Sequence, residues 1–239
     1  MNKRLLIIDA LNMYYRAYIV DPSLSANGQP IGGTKGFLKI LQKLVRETKP
    51  DHVVIAWDGG SSRRRAVQKN YKEGRKPIRL NRAIRNLSEN EELQNKMWQQ
   101  ARLVEYLNTE NLEADDIIAF IAGMPELKDW QKIIVSSDKD FIQLCSGKTV
   151  LYRPVQNEIL NEKRIVEGFG IHPNNFALAR AICGDKSDNL PGVGAVGLKT
   201  VAKRFPFLEE SNSHTVDKII ETCKNEEKPL KVHNNILEK

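Results

Sequence analysis

Three short apolar runs, each ending close to an aspartate, constrain the fold of this chain more than any other feature. The runs are Leu5–Ile8 before Asp9, Val53–Trp57 before Asp58, and Ile133–Val135 shortly before Asp138. Continuous apolar runs of this length are typical of parallel strands, which helices cover on both faces. Because functional groups collect outside the carboxyl ends of such strands, we expect the three aspartates to converge at one edge of a sheet.

Helical patterns alternate with these runs. The sequence predicts helices over about 37–45, 88–107, 175–183, 198–205 and 216–223, and a strand over 149–152 that closes the sheet. The fold class is therefore α/β, with a central, mostly parallel sheet flanked by helices and a helical C-terminal part.

Composition excludes several classes of protein. No apolar run approaches the roughly 18 residues of a membrane span. The cysteines, Cys145, Cys183 and Cys223, are far apart and have neither zinc nor redox spacing, so we expect a reducing cytoplasm. The scattered histidines make a zinc centre unexpected.

Positive charge is concentrated in one segment. Ten basic residues and one acid lie between Arg63 and Arg85, a net charge of +9, so the other residues sum to −2 of the total +7. A solvated charged face is the ordinary interpretation of such a run. Its one-sided sign indicates instead a partner with a phosphate backbone.

A second concentration is acidic. Glu113-Ala114-Asp115-Asp116 stands where a polar stretch gives way to an apolar one, which predicts the first turn of a buried helix. A helix N-terminus tolerates acids, so a capped helix with three surface acids is one interpretation. Crowded carboxylates at about 4 Å repel by roughly 1–4 kcal/mol, a cost that a bound cation removes, and this favours a metal site.

Two more acidic clusters, at 136–140 and 184–189, raise the number of candidate metal ligands. The candidates are Asp9, Asp58, Glu113, Asp115, Asp116, Asp138, Asp140, Asp185 and Asp188. Hard oxygen ligands suit Mg²⁺ or Mn²⁺. Paired divalent ions hydrolyse phosphodiesters, and no arrangement of serine or cysteine with histidine indicates a covalent route.

A glycine-rich stretch, 189–197, predicts a tight hairpin between two helices. Gly192, Gly194 and Gly197 would let backbone N–H groups approach a phosphate, with Lys199 and Thr200 at the start of the next helix. An ordinary turn with a threonine cap is the alternative.

Tyrosines follow Asp9 on the predicted first helix. Aromatic residues on such a helix, here Tyr14, Tyr15 and Tyr18, more often belong to the core, although one of them could stack on a nucleic-acid base.

These motifs together resemble the bacterial and bacteriophage 5′ nucleases, which include the 5′–3′ exonuclease domain of DNA polymerase I and the phage flap endonucleases. The resemblance runs from about Arg4 to about Phe205. It is carried by Ile8–Asn12 with Tyr14–Tyr18, Trp57-Asp58, Tyr71–Arg75, Glu113–Asp116, Ser137–Asp140 and Gly184–Asn189.

The resemblance implies a role for each acid. Asp9, Asp58, Glu113, Asp115 and Asp116 would serve mainly a first metal ion, and Asp138, Asp140, Asp185 and Asp188 mainly a second. Asp9, Asp58, Asp116 and Asp138 would take part in catalysis directly.

The resemblance also implies a helical arch over about 71–100, through which a 5′ single strand passes. Lys72 and Arg75 would grip the scissile phosphate at its base and, three apart on a helix, would point the same way. Further DNA contacts would come from Tyr14, Arg63, Lys69, Lys76, Arg79 and Arg82, and from the glycine hairpin with Lys199 and Thr200.

The resemblance implies two regions, an α/β nuclease (PIN-like) domain over 1–170 and a helical DNA-binding region over 171–239. A helix–three-turn–helix over about 189–204, often with a potassium ion, would hold the duplex. The chain has Ala195 where the family has glycine.

We therefore expect a free-standing, monomeric, Mg²⁺-dependent 5′ nuclease of a bacterial or phage-infected cytoplasm. Its expected activities are 5′–3′ exonuclease and flap endonuclease, in replication or repair. One alternative is removal of RNA primers from RNA–DNA hybrid, and another is a non-catalytic protein that binds branched DNA. A nucleotide-binding module is disfavoured, because no glycine-rich loop follows Ile8.

Overall fold

The structure, a computed structural model, describes residues 3–58, 64–73, 112–194 and 196–238. The strands are β1 Arg4–Asp9, β2 His52–Ala56, β3 Gln131–Val135, β4 Thr149–Arg153, β5 Glu158–Leu160, β6 Gly184–Asp185 and β7 Leu190–Pro191. The helices are α1 Ala10–Val20, α2 Gly32–Thr48, α3 Arg64–Val67, α4 Ala114–Ala122, α5 Glu162–Phe169, α6 Pro173–Cys183, α7 Leu198–Arg204, α8 Val216–Lys224 and α9 Lys231–Leu237, with 3₁₀ turns at Pro125–Leu127, Asp140–Leu144 and Pro206–Glu209.

The main sheet has five strands in the order β2-β1-β3-β4-β5. Strand β1 pairs in parallel with β2 and with β3, in registers that place Asp9 opposite Ala56 and Ile8 opposite Val135. Leu6, Ile7 and Ile8 are fully buried, as expected for a strand covered on both faces. The predicted parallel arrangement is confirmed.

Two compact units divide the described residues. The first contains residues 3–58, 112–138 and 152–158, and the second contains residues 64–73, 139–151, 159–194 and 196–238. The predicted division of the chain near residue 170 stays a prediction. Within the described ranges, no helix combines the length and the apolar character that crossing a membrane requires.

Aromatic side chains hold α1 and α2 against the sheet in the first unit. Trp57 lies 6.1 Å from Tyr14 and 5.8 Å from Phe37, measured between ring centroids, and Tyr14 also stacks with Tyr18. Tyr14 and Tyr18 are buried members of this core. The core interpretation is therefore the one that their positions support, because a base could reach the Tyr14 ring only if the core opened.

Helix α6 is the centre of the second unit. Phe176 is fully buried and meets Phe169 edge to face, at 5.4 Å between ring centroids. The buried amide of Asn175 donates to the carbonyl oxygens of Leu208, Glu210 and Asn212, and its oxygen accepts from the backbone N–H of His214. One polar side chain thereby satisfies the backbone groups of the loop that precedes α8.

Several elements of the structure differ from those predicted. The strand at 149–152 does not close the sheet, because the chain turns at Asn157, which has a φ of 48°, and adds β5 at the edge. Asparagine adopts this left-handed backbone more readily than most residues. Helices α5 and α9 were not predicted; α5 is short, and the stretch that contains α9 is polar. The predicted helix over 88–107 lies outside the described residues.

Two glycines allow the backbone to cross itself beside the β6–β7 pair. A Cβ on Gly192 would stand 2.0 Å from the carbonyl oxygen of Cys183, and one on Gly184, which has a φ of +70°, would stand 2.1 Å from the nitrogen of Gly192. The N–H of Val193 then donates to the carbonyl of Ile182 at 2.7 Å. Only residues without a Cβ fit this crossing.

We predict that Gly192→Ala lowers the free energy of unfolding by more than about 2 kcal/mol or prevents folding, because the added methyl group meets backbone atoms that cannot move aside. Gly194→Ala is the matched control. Gly194 is exposed and an added Cβ there meets nothing within 4 Å, so we expect a change below about 1 kcal/mol. Urea denaturation followed by circular dichroism measures both. Similar small changes in the two variants would contradict the crossing.

Candidate active site

Asp9 ends the central strand and begins the first helix. Its Oδ1 accepts from the N–H of Asn12 at 3.2 Å, and its Oδ2 accepts from the hydroxyl of Ser136 at 2.7 Å. The whole Asp9 residue is only 6% exposed. Its orientation is therefore fixed by one bond to α1 and one to the loop after β3.

The aspartates that end or follow the three parallel strands interact through their charges. Burial raises the pKa of Asp9 from 3.8 to about 6, the hydrogen bonds from Ser136 and Asn12 oppose this rise, and the charges of Asp58 and Asp138 add to it. The structure thus brings Asp9, Asp58 and Asp138 together at the carboxyl edge of the sheet, as the sequence predicted.

The loop after β3 is held to the same edge. The N–H of Asp138 donates to the hydroxyl of Ser136 at 3.0 Å, and the N–H of Ser137 donates to the side-chain oxygen of Asn12 at 3.2 Å. That oxygen also accepts from the Nε of Arg16 at 3.3 Å. The loop is therefore tied to α1 as well as to β1.

Arg16 is a cation beside the acids that was not among the predicted site residues. Burial lowers its pKa, and the charge of Asp9 acts in the opposite direction. Its position four residues after Asn12, on one face of a helix that starts at Asp9, is a signal by which it could have been found.

The acids at the start of α4 differ from one another in surroundings. Asp58 accepts from the N–H of Ala114 at 3.1 Å, so it caps the first turn of α4 from outside the helix. Glu113 precedes the helix and is buried, at 5% exposure, while Asp115 and Asp116 are partly buried. The interpretation as three surface acids therefore fails for Glu113, because that carboxyl group is enclosed.

In the second unit, an arginine joins two of the predicted ligands. The Nε of Arg180 donates to Asp140 at 3.1 Å, and its Nη2 donates to Asp185. The second oxygen of Asp185 accepts from the N–H and the hydroxyl of Ser187. Burial lowers the pKa of Arg180, but the charges of Asp140 and Asp185 outweigh it and raise that pKa. Sequence reasoning missed Arg180.

The segment that contains Lys72 contacts Asp188. The Tyr71 hydroxyl donates to the Asp188 carboxylate at 3.2 Å, and the Lys72 N–H donates to the Asp188 carbonyl oxygen at 3.0 Å. The Asn189 amide donates to the carbonyl oxygen of Asn70. Tyr71 is buried, with the Lys72 ammonium 5.0 Å from the centre of its ring. The base of the basic segment is thus fixed to the third acidic cluster.

Lys72 does not lie on a helix. It has a φ of 60° and belongs to a turn at residues 69–73. The helical geometry predicted for Lys72 is therefore wrong, since a residue with left-handed backbone cannot continue a right-handed helix. Lys69 is exposed in the same turn.

The glycine hairpin gives no threonine cap. Gly197 is the N-cap residue of α7, no side chain caps this end, and the N–H of Thr200 donates to the Gly197 carbonyl at 2.8 Å. Gly194, Gly197 and Lys199 are exposed, whereas Gly192 lies at the backbone crossing. Phosphate binding by this hairpin stays a prediction.

Several predicted residues lie outside the described part of the chain. They are Arg63, Arg75, Lys76, Arg79, Arg82 and Ala195, together with the greater part of the predicted arch over 71–100.

The donor chemistry fits a hard divalent ion. Among the described residues, no group of three histidine, cysteine, aspartate or glutamate side chains could hold a metal as placed. The candidate ligands are nevertheless all carboxylates, which suit such an ion. The charges of Asp58 and Asp138 act on Asp9. The guanidinium group of Arg180 forms ion pairs with both Asp140 and Asp185. Ligation requires these side chains to turn toward an ion.

Comparison with known proteins gives consistent matches. The family model described as 5′–3′ exonuclease, N-terminal resolvase-like domain, matches residues 4–170. A 5′–3′ exonuclease of Aquifex aeolicus is 31% identical over 214 residues, which cover 87% of this chain and 71% of the relative. The DNA polymerase I of Bacillus subtilis is 31% identical over 226 residues, which cover 92% of this chain and 24% of the polymerase. The chain thus spans about a quarter of the polymerase's length.

Solved structures share the fold. The bacteriophage T5 5′-exonuclease with bound zinc ions gives a TM-score of 0.73 at 19% identity, with 99% of this chain and 84% of that one covered. A pseudo-enzyme–product complex of the T5 D15 flap endonuclease with DNA and metal ions gives 0.71 at 18% identity, over 99% and 84% of the two chains. At these identities the likeness establishes the fold alone.

The raised pKa of Asp9 generates a prediction on stability. Between pH 3.8 and about 6 the folded state keeps a proton that the unfolded chain has released, so the free energy of unfolding falls as pH rises through this window. We predict that Asp9→Asn, with metal ions chelated, raises the free energy of unfolding at pH 7.5 by roughly 1–3 kcal/mol, because it removes the buried charge.

The Asp9→Asn advantage should disappear near pH 4, where the wild-type carboxyl group is protonated in the folded state. Urea denaturation at the two pH values measures it. Glu126→Gln, at an exposed position of the same unit, is the control and should show no such pH dependence. An Asp9→Asn variant that is less stable than wild type at pH 7.5 would show that the hydrogen bonds to Asp9 outweigh its ionisation penalty.

Proposed function

Because the chain belongs to the 5′–3′ exonuclease family, we propose that this nuclease hydrolyses phosphodiester bonds of DNA at 5′ ends and 5′ flaps, with divalent metal ions. The observation that carries the proposal is the convergence of Asp9, Asp58 and Asp138 at one edge of the sheet. Without a cation such a set of carboxylates is unfavourable, since the neighbouring acids raise the free-energy cost of ionising Asp9.

We propose two metal sites, with Mg²⁺ as the ordinary ion and Mn²⁺ as a substitute. When bound, the ions would supply a hydroxide nucleophile and neutralise charge on the phosphate. The residues proposed to hold them are the acidic candidates of the sequence: Asp9, Asp58, Glu113, Asp115, Asp116, Asp138, Asp140, Asp185 and Asp188. Zinc ions bound to the T5 5′-exonuclease support the metal requirement.

The protein's own side chains orient and bind. Ser136 and Asn12 hold the Asp9 carboxylate in one rotamer at the edge of the sheet where the other acids collect. Lys72 is held beside Asp188 through its backbone and through Tyr71, and we propose that its ammonium group binds the scissile phosphate.

The DNA substrate is inferred from charge and from the family. The net charge of +9 between Arg63 and Arg85 suits a phosphate backbone. The complex of the T5 flap endonuclease with DNA supports a DNA substrate. We further propose that the glycine hairpin with Lys199 and Thr200 binds the duplex backbone with a potassium ion, and that the monomer works in replication or repair. An RNA–DNA hybrid belongs among the substrates to be compared.

The decisive experiment is cleavage of a 5′-flap DNA. We expect product in Mg²⁺ and none with a chelator. Asp138→Asn should abolish turnover and leave DNA affinity within about threefold of wild type, because the change affects the cation site and not the basic segment. Asp217→Asn, at an exposed position on α8, is the control and should cleave normally. Near-normal cleavage by Asp138→Asn at saturating Mg²⁺ would refute the assignment, and DNA binding without cleavage by wild type would favour a non-catalytic protein.

A second experiment separates binding from catalysis at the base of the basic segment. Lys72→Ala should lower the single-turnover rate at saturating DNA by at least about tenfold, a loss of roughly 1.4 kcal/mol of transition-state stabilisation. Lys69→Ala, three residues earlier and exposed, should weaken binding and lower its salt dependence by about one phosphate contact. If both variants change only the dissociation constant, Lys72 is a backbone contact and not a catalytic residue.

A further inference from the structure

Arg180 links three segments of the second unit. Its Nε donates to Asp140 on the 3₁₀ turn after β3, its Nη2 donates to Asp185 on β6, and its Nη1 donates to the carbonyl oxygen of Gly184. The arginine side chain is 23% exposed, as is that of Asp185. The Asp140 side chain is 41% exposed. A guanidinium group that bonds two carboxylates at this partly buried position is well suited to hold them, because its planar donors point in fixed directions.

Arg180 binds one oxygen of each carboxylate, and a metal ion bound by these two oxygens would compete with it. One oxygen of Asp185 accepts from Arg180, and the other accepts from the N–H and the hydroxyl of Ser187 at 2.7 and 2.6 Å. The Oδ1 of Asp140 accepts from the Nε of Arg180 at 3.1 Å. A divalent ion at these oxygens would stand within a few ångströms of the guanidinium charge, and such repulsion is strong at a partly buried site.

We propose that Arg180 is the resident counter-ion of the Asp140–Asp185 pair and keeps the affinity of this pair for divalent ions low, so that an ion binds there only by displacing the guanidinium group. This inference rests on the proposed function in one respect, the assignment of the two acids to metal binding. Occupancy of the pair then depends on added negative charge, which a DNA phosphate brings. Arg180 is thus a positioning residue that competes with the metal.

The same charges allow a second, weaker explanation of how Arg180 would affect metal binding. If Arg180 acted only through its long-range positive charge, any nearby cation would have the same effect. Lys186 follows Asp185 directly and is exposed. Lys186→Gln therefore provides a control that removes one positive charge beside Asp185 without breaking the Arg180 bonds.

The test measures Mn²⁺ binding to the DNA-free protein, with free Mn²⁺ determined by electron paramagnetic resonance at low ionic strength. We expect Arg180→Gln to tighten the weaker class of Mn²⁺ sites by at least about tenfold, equivalent to roughly 1.4 kcal/mol. Lys186→Gln should change it by about twofold or less. In an Asp185→Asn background, Arg180→Gln should give no tightening, because the pair is already broken.

Unchanged or weaker Mn²⁺ binding in Arg180→Gln would overturn the inference and leave Arg180 a purely structural link. Thermal unfolding by circular dichroism checks that each variant is folded. Should Arg180→Gln fail to fold, Arg180→Lys serves instead: one ammonium cannot bond both acids as the fork does, so tightening of about threefold or more supports competition and none refutes it. Flap cleavage by wild type in Mg²⁺ tests the proposed nuclease function separately from the role of Arg180. If wild type cleaves the flap but Arg180→Gln does not change Mn²⁺ binding, only the inference about Arg180 fails.

Discussion

A carboxylate buried at the end of the central strand is the interaction on which the rest of the site depends. Asp9 joins β1, α1 and the loop after β3 through two hydrogen bonds. Parallel pairing of β1 with both β2 and β3 brings Asp58 and Asp138 to the same edge. Burial and the like charges of Asp58 and Asp138 oppose the ionisation of Asp9, whereas its hydrogen bonds favour it. The sheet therefore gathers the acids at an edge where a bound cation would offset both the burial of the Asp9 charge and the repulsion between the carboxylates.

The parts of the fold that could be predicted are those determined by local pattern. The parallel strands follow from continuous apolar runs, and the site edge follows from the aspartates that end them. Tyr14 shows the limit, because its sequence neighbours suit either a core or a stacking role, and only the packing against Trp57 shows which interpretation the structure supports. Lys72 shows another, since its left-handed backbone is imposed by the docking of its turn on Asp188 and has no local signal.

Contacts between distant residues account for two of the features that sequence reasoning missed at the site. Tyr71 reaches Asp188, which is 117 positions away, and Arg180 reaches Asp140, which is 40 positions away. Neither pair has a periodicity that could reveal it. Arg16 in the first unit and Arg180 in the second also lie beside acids. These cations alter the electrostatic field around the acids, and that field would act on any metal ion or phosphate that approached them.

The backbone crossing at Gly184 and Gly192 has a consequence for how sequences of this kind can diverge. The atoms that an added Cβ would meet belong to the main chain of Cys183, Gly192 and Leu190. No second substitution can trim a main-chain atom, so neither glycine has a compensating partner elsewhere in the chain. The crossing also fixes the number of residues between the two glycines, because one insertion would shift the β6–β7 pairing. This short stretch, with Asp185 and Asp188 inside it, can drift in the identity of its exposed side chains but not in its length.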